Sequence, residues 1–306
     1  MADAPTIDED AHRTSGLLAR LAGRIGPYVR LTKPRIIELL LITTVPAMVL
    51  AARGWPGTGL VVWTLVGGTL SAGGANSINN YVDRDIDEIM QRTANRPLPR
   101  HDVEPVVALR LGTLLGLFGF VVLWATSNLL AASVSTAALL FYVFVYSMYL
   151  KRTTVQNIVI GGAAGAAPAL VGWAAVTGSL ALPAWAMFAI VFFWTPPHFW
   201  ALSLKYRDDY ASAGVPMLPV VRGVDYTTLM IMIYSAELIL VSVLLVPVAD
   251  LGWVYLLSAF SLGGGLMWHA YRVAREPDRA MKLFGYSNIY LAALFAAVWV
   301  DVVIGG

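Results

Sequence analysis

The chain has 306 residues, 58% of them hydrophobic and 13% charged, with a formal net charge of +2, no cysteine and a mean hydropathy of +0.68. Composition of this kind excludes an ordinary soluble domain, and the missing cysteine excludes disulfides, thiolate chemistry, Cys-ligated metals and covalent c-type haem. The small net charge gives no reason to expect a nucleic-acid partner; where the charge sits is more informative.

The opening stretch, "MADAPTIDED", is acidic and lacks an apolar core, so it does not read as a signal peptide. The next residues place Leu17, Leu18, Leu21 and Ile25 on one helical side and Arg13, Arg20 and Arg24 towards the other. That pattern predicts an interfacial helix in a cytoplasmic tail, 1–35, ahead of one transmembrane domain, 36–306. A mitochondrial presequence is the alternative, and the acidic leader counts against it.

Nine charge-poor runs follow, at 36–53, 58–78, 106–126, 129–150, 156–176, 184–204, 226–248, 252–271 and 284–304. Each can cross roughly 30 Å of hydrocarbon at 1.5 Å per residue. Their apolar residues run nearly all round with no alternation, which predicts helices rather than a barrel. The expected fold is all-α: a polytopic bundle of nine transmembrane helices with an intramembrane cavity open to the cytoplasmic side. With the N-terminus inside, twenty of the twenty-one basic residues fall on inside segments and only Arg53 lies outside. The positive-inside rule then puts the N-terminus and the charged connections in the cytoplasm and the C-terminus outside; compact loops and no evident presequence favour a bacterial cell inner membrane.

Two inside connections, 79–105 and 205–225, follow the second and sixth spans and are rich in charge, as a duplicated four-helix unit with one helix added would arrange them. The glycine runs "GGTLSAGG" and "GGAAGAAPALVG" lack the lysine and strand context of a phosphate loop. Small residues spaced like Gly161 and Gly165 predict close helix packing instead.

The first connection reads "NSINNYVDRDIDEIMQRTANRPLPR" and holds four acids and four arginines in twenty-five positions. Asn79, Asp83 and Asp87 recur every four residues, so a helix lines them up on one side, with Asn76 one near-turn before. This ladder offers only oxygen ligands, which suits Mg²⁺ shared with substrate phosphates. Arg92 and Arg96, again four apart, are candidate grips for diphosphate oxygens, and "RPLPR" breaks the helix and folds the connection back. A solvated loop obeying the charge rule is the plainer alternative. In the second connection, "KYRDDYASAGVPMLPVVRG", Asp208 and Asp209 offer a second oxygen pair for metal, with Lys205 as a further diphosphate contact.

Just before it, "FFWTPPHFWALSLKY" puts Pro196 and Pro197 inside the sixth span, where they are expected to break the helix beside His198. A histidine inside a span is a candidate functional residue. Phe141, Tyr142, Tyr146 and Tyr149 stack near the inside end of the fourth span; they read equally as core, as interfacial-belt residues or as faces that stabilise a cation. Glu38 and Glu237 are acids in apolar runs with no evident partner. A charged head with a lipid-like tail, as in an isoprenoid diphosphate, matches this layout.

"NNYVDRDID" followed by "RTANRPLP" resembles the first aspartate-rich motif of the UbiA-type intramembrane prenyltransferases. "TPPHFWALSLKYRDDYASAGVPMLPVVRG" is similar, within that superfamily, to the protohaem IX farnesyltransferase (haem O synthase) family. The resemblance implies transfer of farnesyl from farnesyl diphosphate to a vinyl group of haem B, with water addition and Mg²⁺, in a protein that meets the lipid bilayer and feeds haem A synthase or terminal oxidase assembly. The family pattern falls on Asn76, Asn79, Asp83, Asp87, Arg92, Arg96 and His198, and it offers His198 a role as haem-iron ligand or as base during water addition. The second motif of the superfamily has aspartates four apart, whereas here Asp208 is followed by Ser212, so only Asp208 and Asp209 carry over. Prenylation of an aromatic quinone precursor and a haem-handling transporter or chaperone are the competing functions.

Overall fold

The computed structural model describes residues 25–305, with 35–41 described by helical backbone alone. Most of the expected interfacial helix, and the Glu38 side chain, lie outside the described residues.

Nine helices of 19 residues or more are found among the described residues. They are α1 (Pro34–Ala52), α2 (Thr58–Val82), α3 (Pro105–Thr126), α4 (Leu129–Thr153), α5 (Asn157–Thr177), α6 (Leu182–Lys205), α7 (Gly223–Ala249), α8 (Trp253–Arg275) and α9 (Ala280–Gly305). There is no strand among the described residues. Seven of the helices are long and apolar enough to cross a membrane, so the chain is a multi-pass membrane protein. The other two are α1, whose Ile42–Ala52 stretch is apolar but short, and α8, whose apolar face is diluted by glycine, serine, histidine and arginine.

Helix starts follow local chemistry. Proline occupies the first turns of α1, α3 and α6, where its missing N–H is harmless. The Asn128 side chain caps α4 by accepting from the Ala131 N–H at 2.9 Å. One expectation fails: Pro196 and Pro197 do not break α6, which runs without interruption from Leu182 to Lys205. Two carbonyls lose their i+4 donors there, a loss that membrane helices tolerate when neighbours enclose the segment, and Thr195, Pro196, Pro197 and His198 are all buried.

The most enclosed spans, α5 and α6, pack on each other; α1 lies against α5, and α9 lies against α6 and α1. The pair α2–α3, with α4, covers one flank, and α7–α8 covers the other. Glycine brings α2 and α3 into backbone contact: a Cβ on Gly74 would lie 2.7 Å from the Gly112 carbonyl oxygen, and one on Gly119 would lie 2.8 Å from the Ser71 nitrogen. Gly161 likewise makes room for the Tyr146 ring, but Gly165 has open space beside it and is no part of a close contact.

Helices α2, α4, α6 and α8 end at one face of the bundle, and the two charged connections gather there. The first carries a short helix, Arg84–Ile89; the second carries Arg207–Ser212 and Leu218–Val221. At the opposite face Arg53 pairs with Asp250 at 3.5 Å, and buried Asp301 accepts the Gly252 and Tyr255 N–H groups at the start of α8.

Candidate diphosphate and metal site

Asp83 joins α2 to the short helix Arg84–Ile89 with φ −89° and ψ 4°. The four-residue hydrogen-bond pattern survives this joint, since the Asp83 N–H donates to Asn79 C=O at 2.9 Å and the Asp87 N–H to Asp83 C=O at 2.8 Å. Asn79, Asp83 and Asp87 therefore remain on one side, each almost fully buried.

Cations converge on the ladder from three distant parts of the chain. Lys151, at the end of α4, donates to Asp83 Oδ2 at 2.5 Å. Arg96 folds back across the first connection and grips both Asp87 oxygens, at 2.8 and 2.6 Å. Lys33 donates to Asn79 Oδ1 at 2.6 Å, while the Asn79 amide donates to Asp83 Oδ2 at 2.8 Å and Ser147 Oγ at 2.9 Å. Asn76 touches neither carboxylate; it donates to Thr32 C=O at 2.9 Å and, with Asn80 on Leu31 C=O at 3.0 Å, pins the chain just before Lys33. Lys33 itself sits at φ 54°, a left-handed conformation uncommon for a side-chain-bearing residue, at the start of α1.

Three cations thus meet two buried carboxylates, and Lys33 has only an amide as partner. Burial, reinforced by the nearby Arg96 charge, pushes the Lys33 ammonium down to about 7. Asp83 Oδ1 is buried without a hydrogen-bond partner, with the Arg152 guanidinium 3.9 Å away. An oxygen-only set with one unengaged buried carboxylate oxygen fits a hard divalent cation, and the surplus positive charge fits an anion beside it.

Arg92 lies next to this group. Its guanidinium packs over the rings of Tyr206 and Tyr210, 5.4 Å from each centroid, and donates to the Tyr210 hydroxyl at 3.0 Å. The second connection behaves differently from the sequence expectation. Asp209 accepts the backbone N–H groups of Gln91 and Arg92, both at 3.1 Å, so its oxygens tie the two connections together. Asp208 and Lys205 are exposed at the same face, and neither is hydrogen-bonded or ion-paired to the ladder among the described residues.

His198 occupies a separate, aromatic setting. Its ring is stacked between Trp194 at 4.2 Å and Phe284 at 4.3 Å. Its Nδ1 lies 2.8 Å from Ser287 Oγ, and that hydroxyl donates to Phe284 C=O at 2.8 Å. With its proton so committed, Ser287 accepts from Nδ1–H, which assigns the lone pair to Nε2. Glu237 lies partly buried on α7, one turn from Tyr234.

Sequence reasoning missed Lys33, Lys151, Ser147 and Tyr210 as site members. The two lysines had a signal, since each stands beside an end of a long apolar helix, but the charge rule accounts for lysines there without invoking a site.

A multi-pass helical bundle with this ladder defines an intramembrane prenyltransferase, and the chain belongs to the UbiA prenyltransferase family, whose model matches residues 40–298. Among its relatives is the protoheme IX farnesyltransferase of Parafrankia sp. (strain EAN1pec), 51% identical over 288 residues that cover 92% of each protein. Solved structures share the fold: one of a digeranylgeranylglyceryl phosphate synthase is 17% identical, with a TM-score of 0.76 over 92% of this chain and 99% of that one. A UbiA homologue from Archaeoglobus fulgidus bound to GPP and Mg²⁺ is 15% identical, with a TM-score of 0.58 over 89% of this chain and 99% of that one.

Proposed function

We propose that this enzyme transfers the farnesyl group of farnesyl diphosphate to a vinyl group of haem B, with addition of water, giving haem O and diphosphate. The observation that carries the reading is the surplus of partly buried cations around the buried Asp83 and Asp87 at one end of an apolar bundle. A ligand with a polyanionic head and a hydrocarbon tail satisfies both halves of that arrangement. The acceptor is argued from the protoheme IX farnesyltransferase of Parafrankia, half of whose residues recur along nearly the whole chain.

Asp83, Asp87 and the Asn79 carbonyl are the groups that would hold a divalent ion, with the exposed Asp208 of the second connection as a further carboxylate. The ion bound to the A. fulgidus homologue is Mg²⁺, the metal we propose here. When bound, it supplies neutralisation of the diphosphate charge. Lys33, Arg92, Arg96 and Lys151 hold the diphosphate oxygens and stabilise the charge that develops as it leaves, and Lys205 stands at the same mouth. Asp209 keeps the two connections closed over the site. His198 presents its Nε2 lone pair to haem iron.

All nine long helices cross the membrane in this reading, forming one domain over 36–306 behind the 1–35 tail. The charged face is cytoplasmic, a cavity opens there, and the C-terminus lies outside the inner membrane. Haem A synthase or terminal oxidase assembly would take the product.

The test is turnover by purified protein. Farnesyl diphosphate and haem B with Mg²⁺ should yield haem O, and Asp83→Asn and Asp87→Asn should each reduce the rate at least a hundredfold. His198→Ala should weaken haem binding and leave diphosphate affinity unchanged. Product only from an aromatic acid acceptor would reject the assignment.

A further inference from the structure

Residues Phe141–Leu150 of α4 form a ten-residue π-helix. Helices wound i→i+5 are rare, occur mostly as single-turn bulges, and collect at functional sites. Two hydrogen bonds record the register here. The Ser147 hydroxyl donates to Tyr142 C=O at 2.9 Å, and the Lys151 N–H donates to Tyr146 C=O, each reaching back five residues.

Winding decides which side chains share a face. In an α-helix Tyr142 and Lys151, nine residues apart, would be separated by about two and a half turns and point in opposite directions. In the wider winding nine residues make about two full turns, so Tyr142, Tyr146, Ser147 and Lys151 come to one side. The contacts agree: Ser147 meets Asn79, Lys151 meets Asp83, and the Tyr142 and Tyr146 rings stack at 5.4 Å and 28°. Phe144, Met148 and Tyr149 point away and are exposed. Gly161 opposite makes the space the Tyr146 ring fills. Counting from Lys151, Tyr146 lies about one turn deeper into the bundle and Tyr142 about two.

We propose that Tyr142 and Tyr146 form the aromatic wall beside which the allylic cation develops, and that the π winding presents them there. The inference rests on Asp83 and Asp87 marking the diphosphate end. As the C1–O bond breaks, its electron pair leaves with the diphosphate oxygen and the allyl fragment carries the positive charge. The charge passes to the acceptor when its vinyl electrons close the new C–C bond, and is discharged as water adds to that carbon and gives up a proton. The tyrosine rings exchange no electrons; their negative faces attract the cation, as ring quadrupoles do in a desolvated site.

Ring faces rather than hydroxyls are therefore required. In single-turnover assays at saturating farnesyl diphosphate and haem B, Tyr142→Phe and Tyr146→Phe should stay within about threefold of the parent, whereas Tyr142→Leu should be slower by about thirtyfold with diphosphate affinity unchanged. Phenylalanines of increasing ring fluorination at position 142 preserve size and guard against misfolding, and the rate should fall stepwise along that series. A flat series, or a Tyr142→Leu protein as fast as the parent, overturns the proposal. Asp83→Asn separates the two levels: full turnover in that variant removes the diphosphate assignment itself, whatever the tyrosines do.

Discussion

Lys33 condenses the logic of the site into one side chain. It is partly buried, held in a left-handed backbone conformation, hydrogen-bonded to Asn79, and lacks a carboxylate of its own. Its ordinary value of 10.5 is lowered to about 7, chiefly by burial and then by Arg96, against weaker opposing pulls from Asp87 and Asp83. Between pH 7 and 10.5 the folded protein thus holds fewer protons at this residue than the unfolded chain, and this lysine makes stability rise with pH across that window. Diphosphate binding has the opposite sign, because it favours the ammonium. Affinity for farnesyl diphosphate should fall as pH rises through about 7, approaching tenfold per unit at the limit, with proton uptake on binding. Titration calorimetry in buffers of different ionisation enthalpy reads both, and Lys33→Met should flatten the pH dependence. The four-residue ladder was legible in the sequence because helical spacing is local. Lys33 and Lys151 lie 46 and 68 residues from their partners Asn79 and Asp83, and no local pattern connects them.

At the scale of elements, the ladder is only as well placed as α2, and α2 is positioned by glycine contact with α3. A side chain at Gly74 meets the backbone of Gly112 and Gly116, which cannot move aside, whereas Gly68 faces open space. Gly74→Val should therefore cost about 1–3 kcal/mol through forced separation of the two helices, while Gly68→Ala should be close to neutral. Thermal unfolding followed by size-exclusion fluorescence distinguishes the pair, and equal melting temperatures would falsify the close-contact account. The small-residue runs announced this packing in the sequence, although Gly165 shows that spacing alone does not say which glycine touches. Other features of the elements were hidden. Nothing in "FYVFVYSMYL" signals π winding, since its apolar residues suit any helical period, and the joint at Asp83 leaves the i+4 count intact. Pro196 and Pro197 misled in the other direction: the rule that proline breaks helices is learned in water, and enclosure by protein weakens it.

On the scale of the whole molecule, charge asymmetry and site location are one fact seen twice. The Asp83 cluster, the Asp209 tie and the ends of α2, α4, α6 and α8 share a face, and the charge rule assigns twenty of the twenty-one basic residues of the sequence to that side when the N-terminus is inside. An odd number of crossings is needed to keep the basic stretch 272–282 on that side while α9 ends on the other. The positive-inside rule infers this parity from the basic residues, and labelling from one side of the membrane tests it. The tie made by Asp209 was not legible, because it depends on how distant loops meet: its partners, the Gln91 and Arg92 N–H groups, lie more than a hundred residues away. Since the chain has no cysteine, single substitutions report topology without background. In intact spheroplasts a membrane-impermeant maleimide should label Thr58→Cys and Ser179→Cys, which are exposed at the face opposite the ladder, and should spare exposed Gln91→Cys and Ser212→Cys until the membrane is opened. Immediate labelling at Gln91→Cys would place the aspartate ladder outside the cell. A positive-inside orientation could not then hold, because the same face would have carried nearly every arginine and lysine of the chain across the bilayer.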